Sequence, residues 1–139
     1  MKACPTEDRL LAAARAMRSH AHAPYSGYCV GAAVADDSGR VFSGCNVENA
    51  SYGLTLCAER VAIGAAVAAG ARRLTALAVS APGPTPYPCG ACRQVMAEFM
   101  AGEGTVIIDR DADAPLRFTL EGLLPCRFDL ATPATEDPA

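Results

Sequence analysis

The chain has 139 residues, 51% of them hydrophobic and 19% charged, and a net charge of −3. That composition predicts one soluble globular domain with its own core rather than a disordered chain. Lys2 is the single lysine, Arg72 and Arg73 are the only adjacent arginines, Trp is absent and aromatics make up 6%. This argues against a nucleic acid partner, since nothing tracks a phosphate backbone or offers a stacking platform, and no charge-free apolar run is long enough to span a membrane. Much of the apolar content is alanine, which buries little area per residue, so association with further copies of the chain is expected.

Seven cysteines are present. An odd count with three at metal-ligand spacing predicts reduced thiols and a cytoplasmic setting rather than a disulfide framework. Cys4, Cys29, Cys45 and Cys126 are expected to be free thiols, mainly in packing roles. Residues 1–130 are read as one domain, and 131–139, rich in Pro, Thr and acid, as a disordered tail.

In chain order, Thr6 is placed to cap a helix in which Leu10, Leu11, Ala14 and Met17 recur at helical spacing, ending near His20 to His22. Neither histidine sits in a motif, and both are read as helix-ending residues rather than ligands. Pro24 and Gly27 mark a loop over 23–27. The apolar run 29–35, the turn Asp36-Asp37-Ser38-Gly39 and the run 40–45 predict a hairpin. A polar, irregular segment over 46–56 follows and is placed to line a pocket. A helix is expected over 57–69 with Gly70 as its C-terminal cap, a buried strand over 74–80, and an extended loop through Pro82, Pro84, Pro86 and Pro88. A second alanine-containing helix begins at Cys89 and continues to Met100. Strands are expected over 105–109 and 116–120, parted by a polar turn, and one helical turn over 121–124 stops at Pro125. Five strands interleaved with helices predict an α/β layered sheet with the two cysteine helices side by side on one face.

The chemistry concentrates in Cys57-Ala58-Glu59-Arg60 and, 32 residues after Cys57, in Pro88-Cys89-Gly90-Ala91-Cys92. A cysteine at a helix start meets unpaired N–H groups and the positive end of the helix dipole, both favouring the thiolate that zinc requires. Cys89 and Cys92, three apart, share one helical face, so with Cys57 they predict three ligands to one zinc ion. A structural zinc is normally closed by four protein ligands, whereas a catalytic one keeps a position open for water. Glu59 then reads as a general acid and base beside water whose pKa zinc brings toward ~7, although a solvated first-turn glutamate is the competing reading. Arg60 is placed to offset the negative charge of three thiolates by donating to sulfur, against the alternative of a surface arginine. Asn46 and Glu48 supply an amide and a carboxylate at alternate positions, suited to paired hydroxyls, or serve as turn formers and solvated charge.

The order C-A-E then P-C-x-x-C resembles the zinc-dependent cytidine and deoxycytidylate deaminase superfamily. Ala23-Pro24-Tyr25-Ser26, Val30-Gly31-Ala32-Ala33, the stretch from Gly44 through Asn46-Val47-Glu48-Asn49-Ala50-Ser51-Tyr52 to Gly53, and Leu123-Leu124-Pro125 resemble the small homotetrameric members in the same order. The resemblance implies a three-layer α/β/α fold with a five-stranded mixed sheet, and hydrolytic deamination of cytidine and deoxycytidine at C4. It implies one Zn2+ per subunit held by Cys57, Cys89 and Cys92, with Glu59 as proton carrier. It also implies a sugar grip by Asn46 and Glu48, an N–H from Ala58 to the pyrimidine oxygen, a carbonyl from Tyr87 to the amine, and an aromatic wall of Tyr28 and Phe128. Ala50, Tyr52 and Phe128 match positions that enter a neighbour's pocket, implying a homotetramer with shared active sites, a nucleoside substrate and a role in pyrimidine salvage. Tyr28 stands where the family pattern has phenylalanine, which leaves a core aromatic with a surface hydroxyl as its other reading. A deaminase of a modified cytosine nucleoside, such as a blasticidin-type antibiotic, would keep the zinc box. A non-enzymatic zinc module would need a fourth ligand and leave Glu59 without a purpose.

Overall fold

The computed structural model describes residues 5–130, so Cys4 and the tail 131–139 lie outside the described residues. Helix α1 runs Pro5–Met17 and ends in a 3-10 turn, Arg18–His20. It already includes Pro5, so Thr6 stands inside the first turn rather than at the cap; proline is tolerated there because that N–H has no helical partner. Strands β1 (Gly31–Asp36) and β2 (Val41–Cys45) form the expected hairpin. Then follow α2 (Ala58–Ala68), β3 (Leu74–Ser80), α3 (Gly90–Phe99), β4 (Met100–Arg110), β5 (Asp113–Thr119) and the single turn α4 (Leu120–Leu123).

The five strands order β2-β1-β3-β4-β5. The β3/β4 pair is parallel and the other three are antiparallel, which makes the sheet mixed. Both faces are covered, so β1 is buried at every position and the pleat sends alternate residues to different layers. Ala33, Ala35, Ala78 and Ile107 face α1 through Leu10, Leu11 and Ala14. Ala32, Val34, Leu77, Val79, Val106 and Ile108 join Ala62, Ile63, Ala66 and Met96 of α2 and α3 in the second layer. The three layers and five-stranded mixed sheet are those the resemblance implied.

Alanine on the sheet and in the helices permits close approach, and two glycines complete it. A Cβ on Gly31 would lie 1.9 Å from the Ala14 carbonyl oxygen, and one on Gly44 2.5 Å from the Ala62 nitrogen. The second contact seats α2 directly on β2, so the position of Cys57 is set by backbone packing. Gly70 takes φ +98 after α2, the left-handed residue that ends a helix.

An ion-pair network also ties α1 to the sheet. Arg15 reaches Asp109 through two bonds of 2.8 and 2.7 Å, Ser80 Oγ donates to the same carboxylate at 2.8 Å, and Asp109 is fully buried. The Arg15 guanidinium holds the Asp109 carboxyl below its ordinary range. Such pairing is what permits a buried charge.

Candidate active site

Strands β2 and β3 run parallel to each other with β1 between them, and the loops leaving their carboxyl ends lead into α2 and α3. Both helix starts therefore meet beyond one end of the sheet, where α/β folds gather ligands. The loop after β2 is pinned by mutual bonds of 2.9 Å between the backbones of Val47 and Leu56 and by Glu48 N–H to the His22 carbonyl at 2.8 Å. It delivers Cys57 as the N-cap of α2. Cys89 caps α3 in the same extended geometry, its sulfur accepting from the Cys92 N–H at 3.4 Å.

The three sulfurs lie within 4.8 Å of one another, and among the described residues no fourth histidine, cysteine or carboxylate joins them. Cys57 to Cys89 is 3.9 Å and Cys89 to Cys92 is 3.4 Å. Thiolates at ~2.3 Å from a tetrahedral zinc would stand roughly 3.8 Å apart, so the trio fits that ion. Arg60 donates through Nη2 to Cys57 Sγ at 3.5 Å and to the Thr55 carbonyl at 3.2 Å, while its buried Nε has no partner. The Cys57 thiol is brought down to about 5, first by the Cys92 thiol beside it and then, against burial, by Arg60. Cys92 is pushed the other way by Cys57 and by burial. Negative sulfur is thus favoured at Cys57.

Glu59 is the second residue of α2 and 5% exposed. Burial pushes its carboxyl above the ordinary range, and the charge on Cys57 adds to the push. A carboxyl poised upward is suited to carrying a proton near neutral pH. It opens on a cavity of about 260 Å3 shared with Cys57, Ala58, Cys89, Tyr28 and Asn46. That is at the small end of ligand cavities, ~300–1,000 Å3.

Asn46 is buried, and both ends of its amide are engaged. Its Oδ1 accepts from the Val30 N–H at 2.9 Å and its Nδ2 donates to the Tyr28 carbonyl at 2.8 Å. Tyr28 lines one wall, and its phenol donates to the Pro84 carbonyl at 3.3 Å. Tyr87 lines the cavity from the loop between β3 and α3, its ring edge-on to Phe118 at 6.2 Å. Glu48 lies beside this cavity rather than in its lining. Its Oε1 accepts from the N–H groups of Tyr25 and Ser26 at 3.0 and 3.1 Å and its Oε2 from Ser26 Oγ at 2.7 Å, and Ser26 leads in holding the carboxyl low. One chain does not bring Ala50, Tyr52 or Phe128 to the cavity either. All three are exposed, Tyr52 at 76% and Phe128 at 71%.

Several lining residues were not singled out from sequence. Val30, Thr55, Val79, Thr85 and Pro86 all face the cavity; Val79 was signalled by its place near the end of a buried strand, Thr55 by its nearness to Cys57. Arg93 gave no signal. It follows Cys92 and bonds the carbonyls of Pro88 and Leu123 at 2.9 and 2.7 Å, clamping the loop that carries Cys89. Of the cysteines outside the trio, Cys29 and Cys45 are half-buried, but Cys126 is exposed at φ 53, a turn position rather than the packing role expected of it.

A family model described as the cytidine and deoxycytidylate deaminase zinc-binding region matches residues 5–108. The cytidine deaminase of Sporosarcina psychrophila is 43% identical over 122 residues, covering 87% of this chain and 90% of that protein. The one from Mycobacterium tuberculosis is 50% identical over 111 residues, covering 79% and 80%. The crystal structure of cytidine deaminase from Burkholderia pseudomallei superposes with a TM-score of 0.83 at 45% identity, covering 87% of this chain and 98% of that one. With its three sulfurs and buried carboxylate at two helix starts, this chain belongs to the cytidine and deoxycytidylate deaminase family.

Proposed function

We propose that the chain catalyses the hydrolytic deamination of cytidine and deoxycytidine to uridine and deoxyuridine, with release of ammonia. The observation that carries this reading is the Glu59 carboxyl, buried and raised, in the same cavity of about 260 Å3 as the Cys57 and Cys89 sulfurs. Zinc held by Cys57, Cys89 and Cys92, one ion per subunit, supplies an acidified water as the nucleophile when bound.

The remaining work falls to the protein. Glu59 takes the proton given up by the nucleophilic water, delivers it to N3 of the pyrimidine and relays a second proton to the amino group as it leaves. The Ala58 N–H, in the first turn of α2 where helical donors have no helical partner, binds the pyrimidine oxygen. The Tyr87 carbonyl accepts from the departing amine. Arg60 offsets the charge of the thiolates. Asn46 keeps a second lone pair and a second N–H, and Glu48 one of its roughly four acceptor positions, for the sugar hydroxyls. Tyr28 forms an aromatic wall.

The exposed Ala50, Tyr52 and Phe128 reach the pocket of a neighbouring subunit, which makes the active form a homotetramer with shared sites. The cavity suits a free nucleoside, and the acidic net charge disfavours a polynucleotide. The setting is pyrimidine salvage in the cytoplasm, supported by a sulfur trio that must stay reduced. The test follows loss of cytidine absorbance by wild type and by Glu59→Gln, with zinc measured in both. Turnover by wild type and a fall of about 10²–10⁴-fold in the variant at equal zinc content is expected. A zinc-loaded wild type inactive on cytidine and deoxycytidine refutes the proposal.

A further inference from the structure

The loop over 81–88 contributes Thr85, Pro86 and Tyr87 to the lining of the cavity that Tyr28 also lines. Its own backbone is poorly equipped to hold a shape. Pro82, Pro84, Pro86 and Pro88 lack N–H donors, Gly83 sits at φ +81, and no strand runs through the segment. Inside it, the Tyr87 N–H bonds the Thr85 carbonyl at 2.9 Å. Support from outside therefore decides where the wall stands.

Beside the packing of Tyr87 on Phe118, hydrogen-bonded support comes at two points. Arg93 Nε takes the Pro88 carbonyl at the end of the loop. In the middle, the Tyr28 phenol takes the Pro84 carbonyl at 3.3 Å. Tyr28 is itself fixed, with its N–H on Ser26 Oγ at 3.0 Å and its carbonyl on Asn46 Nδ2 at 2.8 Å. Those partners lead back to Glu48, which accepts from Ser26 Oγ at 2.7 Å. A chain of bonds thus runs from the segment after β2, through residues 26–28, across the mouth of the cavity to Pro84. Burial raises the phenol's pKa, and the charge on Glu59 adds to the rise, so the hydroxyl keeps its proton and remains a donor at neutral pH.

We propose that Tyr28 is a positioning residue, whose hydroxyl tethers the proline loop at Pro84 and so holds Thr85, Pro86 and Tyr87 at a fixed distance across the pocket. The inference rests on the deaminase reading for its kinetic consequence, but not for its structural one. Tyr28→Phe keeps the aromatic wall and removes only the tether. Losing one hydrogen bond that preorganises a binding wall raises KM for cytidine about fivefold and leaves kcat within about twofold. The backbone amide of Tyr87, held on the Thr85 carbonyl, exchanges with deuterium about fivefold faster in the variant, while those in the middle of α2 keep their rates.

An unchanged KM, with or without faster exchange, overturns the proposal, as does a fall in kcat accompanied by loss of zinc. Exchange needs no turnover, so an unchanged Tyr87 rate overturns the tether even in a protein inactive on cytidine. An inactive wild type whose Tyr87 amide still responds to Tyr28→Phe rejects the deaminase reading and leaves the tether standing.

Discussion

The floor and the rim of the cavity are built in opposite ways. The floor takes Cys57, Glu59 and Arg60 from the start of α2 and Cys89 and Cys92 from the start of α3. Each set lies within four consecutive positions, so helix geometry alone fixes the mutual placement of its side chains. The rim takes Tyr28, Asn46, Thr85 and Tyr87 from loops and leaves Tyr52 and Phe128 facing solvent in a single chain. Chemistry is therefore preorganised within two helix starts, whereas the rim depends on loop tethers and, on the proposed shared-site assembly, on surfaces that a neighbouring subunit would cover.

The largest effect should come from breaking the floor. Cys92 is fully buried beneath the other two sulfurs, so Cys92→Ser removes both a soft ligand and the seat of the ion. Zinc content should fall toward none, and turnover with it. Removal of zinc from wild type by a chelator should do the same and be reversed by added zinc; turnover that survives complete removal would break the contrast drawn above. Arg60→Gln is milder, since the ligands remain. Loss of a donor to the Cys57 sulfur should lower kcat about tenfold with zinc retained, and unchanged kcat would show that the thiolate charge needs no offset.

The rim predicts a different signature. Phe128→Ala should raise KM about tenfold and weaken association, and dilution of wild type below its assembly range should depress activity per chain. If dilution to monomers leaves activity intact, the rim is complete within one chain and the contrast with the floor is wrong.

This difference also governs what the sequence discloses. The floor is local, so the spacing of Cys57, Glu59, Cys89 and Cys92 already implies both helix starts. The strand over 74–80 is matched to the residue because it is alternately and then wholly apolar. Met100 is expected to end the second cysteine helix, and 101–104, with two glycines, carries no strand signal, yet both belong to β4 because Met100 pairs with Leu74. The turn is expected through Arg110, Asp111, Ala112 and Asp113, yet Arg110 ends β4 and Asp113 opens β5 opposite it. The Arg15 pair with Asp109 spans 94 positions, and the bonds from Glu48 to residues 25–26 span more than twenty. Contacts at that separation arise only when the chain is folded, and the tethers of the rim are of this kind.

The smallest predicted effect concerns a site far from both. Asp36 ends β1 at the opposite end of the strand from Gly31, and its carboxylate organises the hairpin turn. Oδ1 accepts from Ser38 N–H, Ser38 Oγ and Arg40 N–H at 3.0, 2.7 and 2.9 Å, and Oδ2 from Arg40 Nε at 2.8 Å. Burial alone would raise this carboxyl, but the Ser38 hydroxyl and the two donors of Arg40 outweigh it and bring it down to about 2. A carboxyl depressed from an unfolded value near ~3.9 contributes stability that is complete above that value and is lost as pH falls toward 2. Asp36→Asn keeps an acceptor for the Ser38 and Arg40 N–H groups but loses the charge. Its Tm should lie below that of wild type at pH 7, and the gap should close between about pH 4 and 2. A gap that persists to pH 2 would assign the effect to hydrogen-bond geometry rather than charge. At pH 7 the variant's kcat and KM should equal those of wild type, because neither helix start nor loop tether touches this turn.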